Sequence, residues 1–179
     1  NVLIRPRSGN FCYSDDEFEI IKHNIGICKK LNFNGIVTGV LNPDNTIDIE
    51  RTKELIELSK PLNFIFHRAF DCVPNPKKSL QQLIDLGVGT ILTSGQKPKA
   101  IEGINLLTEL QKIAKNKLTI LAGGGINPKN AKEFKNAGLK EIHSSASKTI
   151  EQKNDSSLFD SPQTVSDIDT IKEIIKNIK

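Results

Sequence analysis

The chain has 179 residues, 37% hydrophobic and 26% charged, with a formal net charge of +4 at pH 7. That is enough for one well-cored soluble domain, and no apolar run approaches the roughly 20 residues of a membrane span. The positive excess comes from lysines scattered along amphipathic stretches without aromatic interleaving, a pattern of solvated helix faces that argues against nucleic-acid binding.

Asn1 opens the sequence and methionine is absent, so the N-terminus reads as processed or missing. Val2–Arg5 is a short apolar strand that leaves through the loop Pro6–Asn10. Ser14 with Glu17 three residues on is a capping box, and Phe18, Ile21, Ile25 and Cys28 form the core stripe of the helix it opens. Asn34–Gly39 is a second strand, and Asp48 caps a helix through Leu58 with Leu55 and Leu58 inward. Asn63–Arg68 is a third strand, and Asn75-Pro76 opens a helix with Leu80, Leu83 and Ile84 on its core face. Thr90–Ser94 is the fourth strand, followed by a helix carrying Ile104, Leu107, Leu110 and Ile113. Leu118–Ala122 is the fifth, and Gly123-Gly124-Gly125 leads to a second Asn-Pro helix start at Asn127-Pro128. Glu141–Ser145 is the sixth. Residues 148–164 are polar and irregular, the pattern of a mobile loop. Residues 165–179 form a closing helix with Ile168, Ile171, Ile175 and Ile178 on one face, expected to pack on the sheet.

Six βα repeats of about 30 residues predict a parallel sheet with helices outside. A TIM (β/α)8-type barrel takes about 250 residues, so this α/β chain reads as such a barrel lacking its first two βα units, one domain over residues 1–179. Two open sheet edges would be an aggregation hazard, which predicts completion by a further segment, repacking or self-association as a homo-oligomer.

If the polar member near each strand end points into the barrel, Leu3, Arg5, Ile36, Thr38, Ile65, His67, Ile91, Thr93, Thr119, Leu121, Glu141, His143 and Ser145 face in. Ile4, Val37, Phe66, Leu92, Ile120 and Ile142 then face the helices. The expected mouth holds His67 and His143 with Arg5, Thr93 and Asp71 nearby. His67, His143 or Asp71 are candidates for moving a proton. Arg5, Arg7 and Arg68 are candidates for holding carboxylate or phosphate bidentately, or for structural ion pairs. Gly123, Gly124 and Gly125, with Ser144 and Ser145 at the end of the sixth strand, occupy the place where barrels commonly hold an anion, although a tight turn also needs glycine.

Three cysteines, Cys12, Cys28 and Cys72, without CxxC spacing argue against a disulfide framework and fit a reducing, cytoplasmic setting. Cys28 belongs to a helix core stripe. Cys12 and Cys72 sit in loops above the mouth, where soft thiolates suit Cu(I).

The ordered strings LIRPRSGNFCYSDDEF (Leu3–Phe18), FHRAFD (Phe66–Asp71), ILTSGQ (Ile91–Gln96), GGGI (Gly123–Ile126) and EIHSSA (Glu141–Ala146) resemble the CutC copper homeostasis family. The resemblance runs from Val2 to about Ala146. It implies a cytosolic TIM barrel linked to copper tolerance and trafficking, with copper binding attributed to it. By the same resemblance Arg5, Arg7, His67, Arg68, Asp71, Ser94 and His143 carry over as pocket residues. The family's first two βα units, with a cysteine-bearing segment proposed for copper, have no counterpart in this sequence. Cys12 and Cys72 remain as sulfur candidates, with His67 as a possible nitrogen ligand. The expected function is copper homeostasis, with copper ion or a small anionic ligand as partner. The alternative is a barrel enzyme that acts on a small phosphorylated or carboxylated substrate by His-mediated proton transfer.

Overall fold

The computed structural model describes residues 1–150 and 163–179. Six strands lie side by side in chain order: β1 (Val2–Leu3), β2 (Gly35–Thr38), β3 (Asn63–Phe66), β4 (Thr90–Thr93), β5 (Thr119–Gly123) and β6 (Glu141–His143). All five pairings are parallel, and the sheet curls into a half-barrel with helices on its outer side. Between successive strands run α1 (Asp15–Lys30), α2 (Ile49–Ser59), α3 (Pro76–Asp85), α4 (Ile104–Ala114) and α5 (Ala131–Asn136). Among the described residues β1 and β6 each have one neighbour.

Local chemistry sets the helix starts. Ser14 accepts from Glu17 N–H while the Glu17 carboxylate accepts from Ser14 N–H, so the capping box is formed. Asp48 and Asn75 cap α2 and α3 through Arg51 N–H and Lys78 N–H. The second Asn-Pro pair behaves differently. Asn127-Pro128 opens a turn, and the six-residue α5 starts only at Ala131, with Asn130 before it making no side-chain cap. The glycine run therefore does not open directly onto a helix, because residues 126–130 intervene and Asn127 and Asn130 turn their side-chain amides back to Gly125 O.

The layer between sheet and helices holds the core. Phe66, Phe70, Phe134, Ile21, Ile25, Ile36, Leu55, Leu80, Leu83, Ile91 and Leu107 are all fully buried. Strand register decides which residues feed it, because parallel partners point to the same face. Leu3 pairs with Val37, Val37 with Ile65, Ile65 with Thr90, Thr90 with Thr119, Leu92 with Leu121, and Leu121 with Glu141. This set faces the barrel interior. Ile36, Thr38, Ile91 and Thr93 face the helices, which reverses the expected assignment of β2 and β4. Exposure agrees: Ile36, Thr38, Ile91 and Thr93 are at 0%, while Leu3 on the inner face is 63% exposed.

The terminal helix α6 (Ile168–Ile178) packs chiefly against α5, with Ile178 and Ile142 of β6 lining one cavity. Ile174 is its buried residue with Ile171 and Ile178 beside it, while Ile168 and Ile175 are exposed. The described ends of the loop expected over 148–164 pair as an antiparallel ribbon, β7 (Ser147–Thr149) with β8 (Thr164–Ser166). The rest of that loop, residues 151–162, lies outside the described residues.

Candidate functional site

The strand expected to run through Arg68 ends at Phe66, and Arg68–Cys72 form a 3-10 turn. The turn is what assembles the mouth. It buries Ala69 and Phe70 and swings Asp71 toward the end of β4. One Asp71 oxygen accepts from Thr93 Oγ1 at 2.5 Å, Ser94 N at 3.0 Å and Gln96 N at 3.1 Å. The other accepts from Arg68 Nε at 2.8 Å. Arg68 Nη2 donates in turn to Ser94 Oγ at 2.8 Å. With so many donors on it, Asp71 clamps the turn to the end of β4. Thr93 contributes to the clamp and does not join the histidines at one level.

Past this clamp, a cavity of about 260 Å³ opens between Arg68, Leu92, the Gly123–Ile126 run, His143, Ser144 and Ser145. Gly124 has φ +125°, and a Cβ there would lie 3.3 Å from Ser94 Cβ and 3.6 Å from Arg68 Nη1. Ser144 Oγ donates to Ile126 O at 2.6 Å, tying the two loops together. His143 is exposed at the rim. A larger cavity of about 500 Å³, bounded by Asn1, Ile65, Leu121 and Glu141, lies at the opposite end of the sheet. Ligand sites of parallel α/β folds occur at the carboxyl ends of strands, so the smaller cavity is the candidate.

A second group surrounds Arg5. Its guanidinium lies 4.5 Å from the Phe11 ring centroid and donates to Gly9 O at 2.6 Å. The Phe11 ring meets His67 edge-on at 4.8 Å. The Arg5 charge also acts on Tyr13 and Cys72. Arg7 is fully occupied elsewhere: it pairs with Glu17 and donates to Asn10 O and Cys12 O, bracing the loop. Gly39 is required by close approach, because a Cβ there would fall 2.8 Å from His67 Nδ1. Phe11 and Gly39 carry no signal of this role in the sequence, and Lys99, which reads as a solvated loop charge beside Pro98, lies next to Gly125. Their roles depend on loops folding over strand ends, which no local pattern signals.

His67 is 3% exposed, and burial, aided by Arg5, lowers its pKa from the usual 6.5 to about 4. Its Nδ1 accepts from Ala69 N–H at 3.3 Å, which places the hydrogen of the neutral ring on Nε2. That Nε2 has no partner among the described residues. In this state His67 offers a donor and no lone pair to a metal. A folded-state pKa below the unfolded value means stability that is whole above pH 6.5 and lost as pH falls toward 4. The drop to about 4 corresponds to about 3 kcal/mol of stability. Urea denaturation at pH 7.5 and 4.5 should show His67→Gln losing less stability on acidification than the parent by about that amount; equal losses would contradict a buried neutral imidazole.

Cys72 is exposed on the 3-10 turn, and Cys12 is half-buried beside Phe11. Partial burial and the Asp71 carboxylate raise the Cys72 thiol above its usual range. Among the described residues no group of three or more His, Cys, Asp or Glu side chains gathers as a metal cluster. None of the described helices is long and apolar enough to cross a membrane.

Known proteins match this architecture. A family model described as the CutC family matches residues 1–148. The family protein CutC of Edwardsiella ictaluri is 46% identical over 144 residues, covering 80% of this chain and 57% of the relative. That of Yersinia enterocolitica is 45% identical over 149 residues, covering 83% and 59%. The chain thus spans well under two thirds of the length of these relatives. The crystal structure of a protein from Streptococcus agalactiae designated copper homeostasis protein CutC superposes with a TM-score of 0.75 at 36% identity, covering 79% of this chain and 70% of that one. A mandelate oxidase with a TM-score of 0.54 and 15% identity shares the fold alone. With the half-barrel, the clamped strand ends and these matches together, the chain belongs to the CutC family.

Proposed function

We propose that the chain serves copper homeostasis in the cytoplasm and takes copper as cargo through thiols at the strand-end mouth. The family relationship carries this reading, since a relative of the same fold bears the copper homeostasis designation. The donor chemistry fits cuprous ion better than a harder metal. Cys12 and Cys72 are soft thiols, Cys12 next to Phe11 in the chain and Cys72 exposed on the turn after β3, and His67 in its present tautomer adds no lone pair. Two sulfurs suit Cu(I) and are too few for a closed tetrahedral zinc site. Because the Cys72 thiol is raised, the ion must displace a proton to bind, so affinity should increase with pH.

Competition titration of Cu(I) under anaerobic conditions tests this. Cys12→Ser and Cys72→Ser should each weaken binding by about tenfold or more, with Cys28→Ser close to the parent because Cys28 lies in the core. Unchanged affinity in the double variant Cys12→Ser/Cys72→Ser would remove the thiol route.

A further inference from the structure

We propose that the cavity beside Arg68 and Gly124 is a binding site for the phosphate group of a small phosphomonoester, separate from any thiol route for copper. The observation that carries it is a concentration of unused donors. The backbone N–H groups of Gly124, Gly125 and Ile126 donate to no acceptor among the described residues. Ile126 is only 5% exposed, so its amide is not simply left to bulk water. Arg68 is held in place by Nε on Asp71 and Nη2 on Ser94. Its Nη1 makes no hydrogen bond among the described residues and lies 3.6 Å from where a Cβ on Gly124 would be. Lys99 lies over Gly125, its Cγ 3.5 Å from where a Cβ would be.

The charge balance points the same way. No carboxylate lines the cavity. Two carboxylates touch the donor residues: Asp71 has its oxygens engaged by Thr93, Ser94, Gln96 and Arg68, and Glu102 accepts from Lys99 N at 3.4 Å. A carboxylate ligand would leave part of this donor set unmet, whereas the terminal oxygens of a phosphate can meet amides, guanidinium and ammonium together. The cavity of about 260 Å³ equals the share of about nine liquid waters. That leaves room for a few carbons beside the phosphoryl group. Gly124 is indispensable on two counts: its φ of +125° is strained for any L side chain, and a Cβ would enter the cradle.

The test is amide NMR with calorimetry on the full chain, titrated with inorganic phosphate and with glycerol 3-phosphate at constant ionic strength in chloride. Saturable shifts confined to the amides of Gly124, Gly125, Ile126 and the Arg68 side chain are expected, with glycerol 3-phosphate the tighter probe. Gly124→Ala removes no charge, so a weakening of about tenfold in that variant separates the site from general attraction to a basic protein. Lys99→Gln, at an exposed position, should keep the melting temperature and weaken both probes severalfold, which holds the test open should Gly124→Ala fold poorly. Shifts scattered over surface lysines, no saturation below about 10 mM, or parent-like affinity in Lys99→Gln would overturn the proposal. Cu(I) affinity should be unchanged in Gly124→Ala and Lys99→Gln, so the two sites fail or stand separately.

Discussion

Asp71→Ala should destabilise the protein by about 2–4 kcal/mol, chiefly through the donors it leaves unmet, since Arg68 is 42% exposed and its ion pair adds little. The Asp71 side chain is only 10% exposed and is the shared acceptor for Thr93, Ser94, Gln96 and Arg68. Alanine would strand several donors at once, and a buried donor left without an acceptor costs about 1–3 kcal/mol. Asp71→Asn should fare little better, because the new amide brings donors to a place already crowded with donors. Urea denaturation of the three proteins at pH 7 measures this. A loss under about 1 kcal/mol for Asp71→Ala would mean that the turn after β3 and the end of β4 are held by something else. The same variant should also loosen Arg68, so a stable Asp71→Ala protein with parent-like phosphate affinity would separate the clamp from the proposed site.

Phe70→Ala should cost about 3–5 kcal/mol, here through a cavity. Phe70 is 0% exposed within the Arg68–Cys72 turn and anchors that turn in the core. For a chain of this size each kcal/mol moves the melting temperature by about 2–4 °C, so a drop of about 10 °C is expected by calorimetry. Cys72→Ala, two residues on in the same turn but exposed, should stay within about 0.5 kcal/mol. Similar losses at both positions would show that the turn itself, and not the aromatic anchor, is what the fold depends on.

The candidate site was legible in part. FHRAFD, ILTSGQ, GGGI and EIHSSA named the strand ends, and the structure brings Arg68, Asp71, Ser94 and Gly124 together at them. Thr93 was misplaced because TILT is apolar on both faces of the strand, so its single threonines gave no sign of which side was covered. Period two is informative only when one face is wet; here β4 lies between a helix layer and a barrel interior. The same holds for GIVT in β2, where Val37 and not Thr38 takes the inner face. The third strand expected over Asn63–Arg68 ends at Phe66, and Arg68 begins a turn stabilised from β4, a distant part of the chain.

The sequence by itself determined the order of the six βα units, the caps of α1, α2 and α3, and the family. These rest on contacts between residues a few positions apart, such as Ser14 with Glu17 or Asn75 with Lys78, and on strings that keep their order along the chain. Only the tertiary structure decided which face of each strand is inside, that Asp71 is a saturated clamp, that Arg7 is spent on its loop, and that His67 is a buried neutral donor. Those properties depend on partners brought in from other strands and loops. Desolvation and hydrogen-bond saturation are set by that packing and not by a residue's own type or its neighbours in sequence.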